Sequence, residues 1–281
     1  MRLSPAARMN RLFGDGGCLD VAIDHGVCNE PSFLAGLEDM EGVVASLVDA
    51  GPDAIQMSYG QADLLQRRPG KDKPALVMRI DMGNPYNSQR HRVMWAMLQN
   101  HDEPIIGALE MDAAAVVVNL FMLPDEPELF RQCVANISRV RASCHAYGMP
   151  LMIEPLVMLP NEVRGGYQVD GDVDKIVTLV RLAAEMGADI IKADPTDDPA
   201  DYHRVVEVAG VPVLARGGGR VSDQEILTRT NELIRQGAAG IVYGRNIIQH
   251  PSPGAITRAL MAIVHDDWTP EKAMTLIEGK T

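Results

Sequence analysis

Aromatic side chains are scarce, at 4% of the 281 residues. Any core must therefore be built mainly from aliphatic side chains, and a 46% apolar content supplies them. Cysteine is also sparse: Cys18, Cys28, Cys133 and Cys144 form no CxxC pair. That spacing excludes a disulfide scaffold and a zinc-thiolate cluster, and leaves free thiols in a cytoplasmic protein as the simplest reading. No apolar run approaches the ~20 residues of a membrane-spanning helix, so no membrane partner is expected. The stretch 1–17 carries Arg2, Arg8 and Arg11 but no long apolar centre, which argues against a secretory signal. Positive charge is short as well, and the net charge is −12. Nucleic acid is therefore not expected as a partner. A phosphorylated small molecule stays open, because a few local cations suffice to bind one. No linker or low-complexity segment divides the chain, and residues 67–74 read only as a short polar loop. The span 1–281 is expected to be one domain.

Apolar, β-branched runs alternate with amphipathic stretches along the whole length. Eight strands are predicted at 18–24, 53–58, 75–81, 114–120, 150–156, 189–194, 212–216 and 240–243. Runs such as Ala115-Val116-Val117-Val118 suit strands buried on both faces of a parallel sheet. Helical spacing is clear over 43–50, 128–147, 173–186, 223–236 and 254–265. Gly51, Gly148, Gly187 and Gly237 follow as helix stops. Alternation at the length of a βα unit predicts an α/β fold, a single (β/α)8 TIM barrel. A doubly wound open sheet would want a Gly-rich fingerprint after the first strand, and Asp24-His25-Gly26 stands there instead.

In such a barrel the chemistry sits at the C-terminal ends of the strands. Those ends carry Asp24, His25, Ser58, Arg79, Asp81, Asn119, Glu154, Lys192, Arg216 and Tyr243. Lys192 is the most informative. A lysine is rarely buried without cause. It either pairs with a carboxylate and does nothing more, or serves as a desolvated amine that attacks a carbonyl. Gly217-Gly218-Gly219 and Gly244-Arg245-Asn246 follow strands seven and eight, where barrels commonly hold phosphate. Asp24 is a candidate to hold a substrate hydroxyl, or simply an ion-pair partner of Lys192. Glu154 is a candidate acid or base, or a buried partner for a cation. His25 reads more readily as a structural histidine. No His, Cys, Asp and Glu spacing suits a metal, so neither a metal nor another cofactor is expected.

These motifs resemble a known family. Ala22-Ile23-Asp24-His25-Gly26, Asp189-Ile190-Ile191-Lys192, Pro212-Val213-Leu214 with its glycine run, and Gly244-Arg245-Asn246 are similar to the archaeal-type class I fructose-bisphosphate aldolases. These belong to the wider DeoC/LsrF aldolase family. The resemblance spans about residues 15–265. It implies a TIM barrel that makes or breaks a C–C bond beside a ketone through a Schiff base. It matches Lys192 to the Schiff-base lysine and Asp24 to the strand-one aspartate. Gly217, Gly218, Gly244 and Arg245 match phosphate-binding positions, and His25, Asn119 and Arg216 join them as candidate substrate contacts. The resemblance also implies a homo-oligomer.

Two departures stand out. The family's Trp and Tyr at the end of strand five are replaced by Ile153-Glu154-Pro155-Leu156, so Glu154 is expected to take the acid/base role. Arg216 stands where the family usually has a small residue. Both bear on whether fructose 1,6-bisphosphate itself is the substrate. The expected activity is a class I aldolase acting on a phosphorylated keto sugar. Alternatives are thiolase-type acyl transfer on a phosphorylated diketone, and a non-catalytic sugar-phosphate-binding barrel.

Overall fold

A computed structural model of the chain describes residues 4–14, 16–70, 72–88, 95–97 and 103–279. Arg2 and Lys71 lie outside the described residues. Eight parallel strands close into a barrel. They are β1 Cys18–Ala22, β2 Ala54–Ser58, β3 Ala75–Arg79, β4 Ala115–Met122, β5 Leu151–Pro160, β6 Ile190–Ala193, β7 Val213–Arg216 and β8 Gly240–Tyr243. Each pairs with the next, and β8 pairs back onto β1, with Cys18 opposite Gly240. The predicted barrel and its eight strands are borne out, with ends shifted by a few residues.

A helix follows each strand: α1 Met40–Ala50, α2 Tyr59–Gln66, α3 Ile106–Glu110, α4 Pro127–Tyr147, α5 Val173–Glu185, α6 Tyr202–Ala209, α7 Asp223–Arg235 and α8 Pro253–Asp266. The five predicted helices are all present. Their inner stripes keep helical spacing, as with Ile176, Leu179, Val180 and Ala183 on α5. Side-chain caps start several of them. Asp39 accepts from Gly42 N on α1, and Asp172 accepts from Asp174 N and Lys175 N on α5. Gly51 and Gly148 end α1 and α4 in the left-handed region that favours glycine. Sequence periodicity missed α2, α3 and α6, which have only eight, five and eight residues.

Alternation along the strands divides the core in two. One set of side chains packs outward under the helices, with Val21, Ile55, Ile153, Ile191 and Tyr243 among them. The other fills the barrel: Cys18, Ala22, Ala54, Ala75, Val77, Ala115, Val117, Met152, Ile190, Leu214 and Val242. Tyr243 therefore does not face the site as its strand-end position suggested; its hydroxyl meets Thr230 Oγ1 at 2.9 Å under α7. Ser58 also stays out of the site, at the start of α2. Two short hairpins decorate the C-terminal face. Asp81–Gly83 pairs antiparallel with Trp95–Met97, and Tyr167–Val169 folds back on the extended end of β5.

Candidate active site

One cavity opens at the C-terminal ends of the strands, and it gathers the candidate catalytic and substrate-binding residues, though not Ser58, Asp81 or Tyr243. Lys192, Asp24, Glu154, Arg216, Gly217, Gly218, Gly244, Arg245, His25 and Asn119 are all there, together with Arg79, Tyr86, Phe33 and Cys28. Strand alternation explains the convergence. Arg79 on β3, Glu154 on β5, Lys192 on β6 and Arg216 on β7 all fall on inward positions.

Lys192 is 4% exposed, so its amine needs polar partners. It has two. Its Nζ lies 3.2 Å from Glu154 Oε2 and donates to Gln56 Oε1 at 3.1 Å. Gln56 turns its amide nitrogen to Asp24 Oδ2 at 2.6 Å, so one side chain from β2 links the lysine to the aspartate. Arg79 is the hub of the floor. Its Nε donates to Asp24 Oδ2 at 2.9 Å, Nη1 to Asp81 Oδ1 at 3.2 Å, and Nη2 to Glu154 Oε2. Arg216 closes the other side. Its Nε lies 2.9 Å from Glu154 Oε1, Nη1 meets Asp194, and Nη2 donates to the Tyr86 hydroxyl at 3.0 Å. A planar guanidinium with several fixed donors suits such multiple pairing.

The charge states follow from these contacts. Burial works to raise Glu154, but Lys192, Arg79 and Arg216 overturn it and hold the carboxyl well below the usual carboxylate range. Burial likewise opposes Asp24, and Arg79 and Lys192 still lower it. Asp194 goes the other way, to about 6: burial outweighs Arg216, and its Oδ2 has no partner among the described residues. Burial lowers His25 to about 4, so its ring is neutral near pH 7. That fits its structural reading, edge-on against Phe33 with ring centroids 6.0 Å apart. Tyr86 is raised to about 12 by burial, which keeps the phenol protonated.

The glycine run after β7 is held by its carbonyls. Asn246 Nδ2 donates to Gly217 O and Gly219 O, each at 3.2 Å, and Arg245 Nη2 donates to Gly218 O at 3.0 Å. The Arg245 guanidinium also lies 4.2 Å from the Phe33 ring centroid. Gly244 cannot carry a side chain, because a Cβ there would run into the His25 ring and the Ala22 carbonyl. Asn119 lines the cavity, but its amide is committed to Asp81 at 3.1 Å. Among the described residues no group of three His, Cys, Asp or Glu side chains is placed to hold a metal.

The sequence profile of the DeoC/LacD family aldolases matches residues 18–250, most of the chain and all eight strands. The chain belongs to this aldolase family. The expected class of enzyme, an aldolase, is borne out. An uncharacterized aldolase of Saccharolobus solfataricus is 30% identical, with 96% of this chain and 98% of that protein covered. A 2-amino-3,7-dideoxy-D-threo-hept-6-ulosonate synthase of Halobacterium salinarum is 29% identical over 95% of this chain and 94% of its own. A 3-hydroxy-5-phosphonooxypentane-2,4-dione thiolase of Photorhabdus laumondii is 28% identical over 96% and 85%. The barrel superposes on an archaeal fructose 1,6-bisphosphate aldolase with a TM-score of 0.77 at 24% identity, covering 94% of this chain and 100% of that one.

In the sequence of this aldolase the partnerships of several site residues are not visible, although Tyr86 stands there as the acid/base candidate next after Glu154. Gln56 sits mid-strand in an apolar run, where nothing marks it as the lysine's partner. Tyr86 comes from the turn after Asp81–Gly83 and reaches the site only through tertiary folding. Arg79 and Asp81 were visible as charged strand ends, but their role as hub and partner was not. No helix among the described residues is long and apolar enough to cross a membrane.

Proposed function

We propose that the protein is a Schiff-base-forming class I aldolase that makes or breaks a C–C bond in a phosphorylated keto sugar or a close analogue. The pair Lys192–Glu154, 3.2 Å apart on the cavity floor, carries this reading. Lys192 loses a proton and attacks the ketone carbon. The carbonyl oxygen leaves as water, and the nitrogen becomes an iminium. When the neighbouring C–C bond breaks, its electron pair moves onto the iminium as an enamine, and the proton of the adjacent hydroxyl must go to a base. Glu154 is that base. Its ionised state is secured by Arg79 and Arg216, and the iminium nitrogen keeps the positive charge of Lys192 beside it. Asp24, fixed by Arg79 and Gln56, orients a substrate hydroxyl. Tyr86 is the phenol in the cavity able to return a proton.

The anionic end is assigned to the Gly217–Gly219 loop and Arg245. With the loop's carbonyls taken by Asn246 and Arg245, its N–H groups are what it has to offer an oxyanion. His25 and Asn119 shape the wall, and Arg216 adds a cation at the mouth. The thiolase relative supports a second reading, acyl transfer on a phosphorylated diketone. On the leading reading the chain is one catalytic barrel, a homo-oligomer working in the cytoplasm, where its four unpaired cysteines stay reduced. Borohydride trapping with a panel of keto-sugar phosphates tests the proposal. An adduct mapped to Lys192 is expected. An adduct on Lys73 or Lys175, or no adduct at all, overturns it. Thioester release only when coenzyme A is supplied would favour the second reading.

A further inference from the structure

Arg216 joins three parts of the site that are far apart in sequence. From the end of β7 its Nε meets Glu154 Oε1 on β5 at 2.9 Å, and its Nη1 donates to Asp194 just past β6. Its Nη2 donates to the Tyr86 hydroxyl at 3.0 Å. The register explains the Asp194 contact. Lys192 pairs with Leu214, so two residues on Asp194 comes level with Arg216. Asp194 has a side chain only 1% exposed, which makes it a fixed anchor. Two carboxylates therefore hold the guanidinium in place, and its third edge is aimed at the phenol. Charge-assisted contacts of this kind are short and directional.

Tyr86 is pinned from its own side as well. The carbonyl of Pro85 accepts from Tyr167 N at 2.8 Å, and Asn87 N donates to Asn84 O at 3.1 Å. The Tyr86 ring packs on Phe33 with centroids 5.3 Å apart. A phenol has one hydrogen to give. An oxygen that accepts from Arg216 turns that hydrogen away from the guanidinium, and among the described residues it meets no acceptor. Tyr86 lines the cavity, so a substrate atom there is free to take it. Burial makes the phenol hard to ionise, and Arg216 is the neighbour that pulls hardest the other way, against Asp194 and Glu154.

We propose that Arg216 is a positioning residue that makes Tyr86 the proton donor to the enamine carbon: it turns the O–H away from itself and steadies the phenolate that donation leaves. This rests on the Schiff-base reading. After the C–C bond breaks, the π pair of the enamine forms a C–H bond with the Tyr86 proton. The nitrogen lone pair restores the C=N iminium, and the O–H pair stays on the phenol oxygen beside Arg216. Water then hydrolyses the iminium to ketone and Lys192 amine. The phenolate regains a proton from water, and Glu154 releases to water the one it took from the substrate hydroxyl.

The test uses the full-length enzyme and the phosphorylated ketone that gives most Lys192 adduct with borohydride. Trapping reports the imine. Exchange of that ketone's α-hydrogen with D2O, followed by ¹H NMR, reports the carbon protonation step in reverse. Exchange breaks no C–C bond, so it does not call on Glu154. Tyr86→Phe should lower the ratio of exchange to trapping by about 10²-fold. Arg216→Lys keeps a cation that cannot span three fixed acceptors, and should lower the ratio about 10-fold; Arg216→Gln should do the same. Combined with Tyr86→Phe, neither Arg216 substitution should lower it further, because Arg216 acts through the phenol. Additive losses in the double variants, or an unchanged ratio in Tyr86→Phe or in both Arg216 variants, overturn the proposal. Loss of trapping in both Arg216 variants also overturns it, by placing Arg216 in imine formation. Absence of any wild-type adduct at Lys192 sinks the Schiff-base reading, and this one with it.

Discussion

Replacing Glu154 with glutamine tests the centre of the site at nearly constant volume. The carboxylate faces Lys192 at 3.2 Å, Arg216 Nε at 2.9 Å and Arg79. The amide of Glu154→Gln can still accept from Arg216 through its oxygen. Its NH2 group then meets two donors, Arg79 and Lys192, and three cations lose a buried counter-charge. Breaking a buried ion pair from one side typically costs ~3–5 kcal/mol. For a chain of this size the lower end corresponds to a Tm fall of roughly 5 °C. The pH dependence has a defined sign. Glu154 is held below its usual 4.5, so its stabilising contribution is complete above that value and is lost as pH falls through the lower folded value. The Tm gap between wild type and Glu154→Gln should therefore be constant from pH 8 to 6 and start to close below about pH 4.5. Turnover should fall by ~10²–10⁴-fold, the usual worth of a positioned base. Borohydride trapping should survive, because the attacking amine is untouched. Calorimetry and steady-state kinetics across pH supply both readouts. A kcat within threefold of wild type would remove Glu154 as the base, and a Tm gap that widens in acid would refute the charge assignment.

Other residues give equally direct outcomes. Lys192→Met should fold and lose both trapping and turnover; residual covalent adduct would move the nucleophile elsewhere. Arg245→Ala should raise KM by about 10–100-fold with kcat changed only a few-fold, because a remote anion contact binds ground and transition states alike. Equal kinetics on phosphorylated and dephosphorylated substrates would count against the phosphate loop. Tyr86→Phe should lower kcat while leaving imine trapping intact, and an unchanged kcat would exclude the phenol as proton donor. Activity should withstand exhaustive EDTA treatment, since the floor carboxylates Asp24, Asp81 and Glu154 are already paired with Arg79. Loss that returns on adding Zn²⁺ or Mg²⁺ would point to a metal-dependent mechanism.

The barrel was legible from local pattern because its physics is local. Strands buried on both faces must be apolar throughout, and helices packed on them must carry a stripe. Lys192, Glu154 and Arg216 stood out for the same reason, as charges at the ends of runs that otherwise exclude charge. The glycine loops were legible because their positions after strands seven and eight follow from counting strands. What pattern could not supply was partnership. Arg79 becomes a hub only when β3 sits across from β1 and β5, and a linear sequence says nothing of the angle at which their side chains meet. Gln56 looks like one polar residue in a strand until barrel closure brings β2 and β6 to hydrogen-bonding distance across the interior. Tyr243 shows the reverse: a strand-end residue that strand alternation turns away from the site. Asp20 is the clearest case. In sequence it is an aspartate two residues before a cavity-lining alanine; only the closed barrel buries it and leaves it without a partner among the described residues. Hydrophobic periodicity determined which segments become which elements. Charge state and chemical role depend on distance and desolvation, which exist only once the barrel has closed.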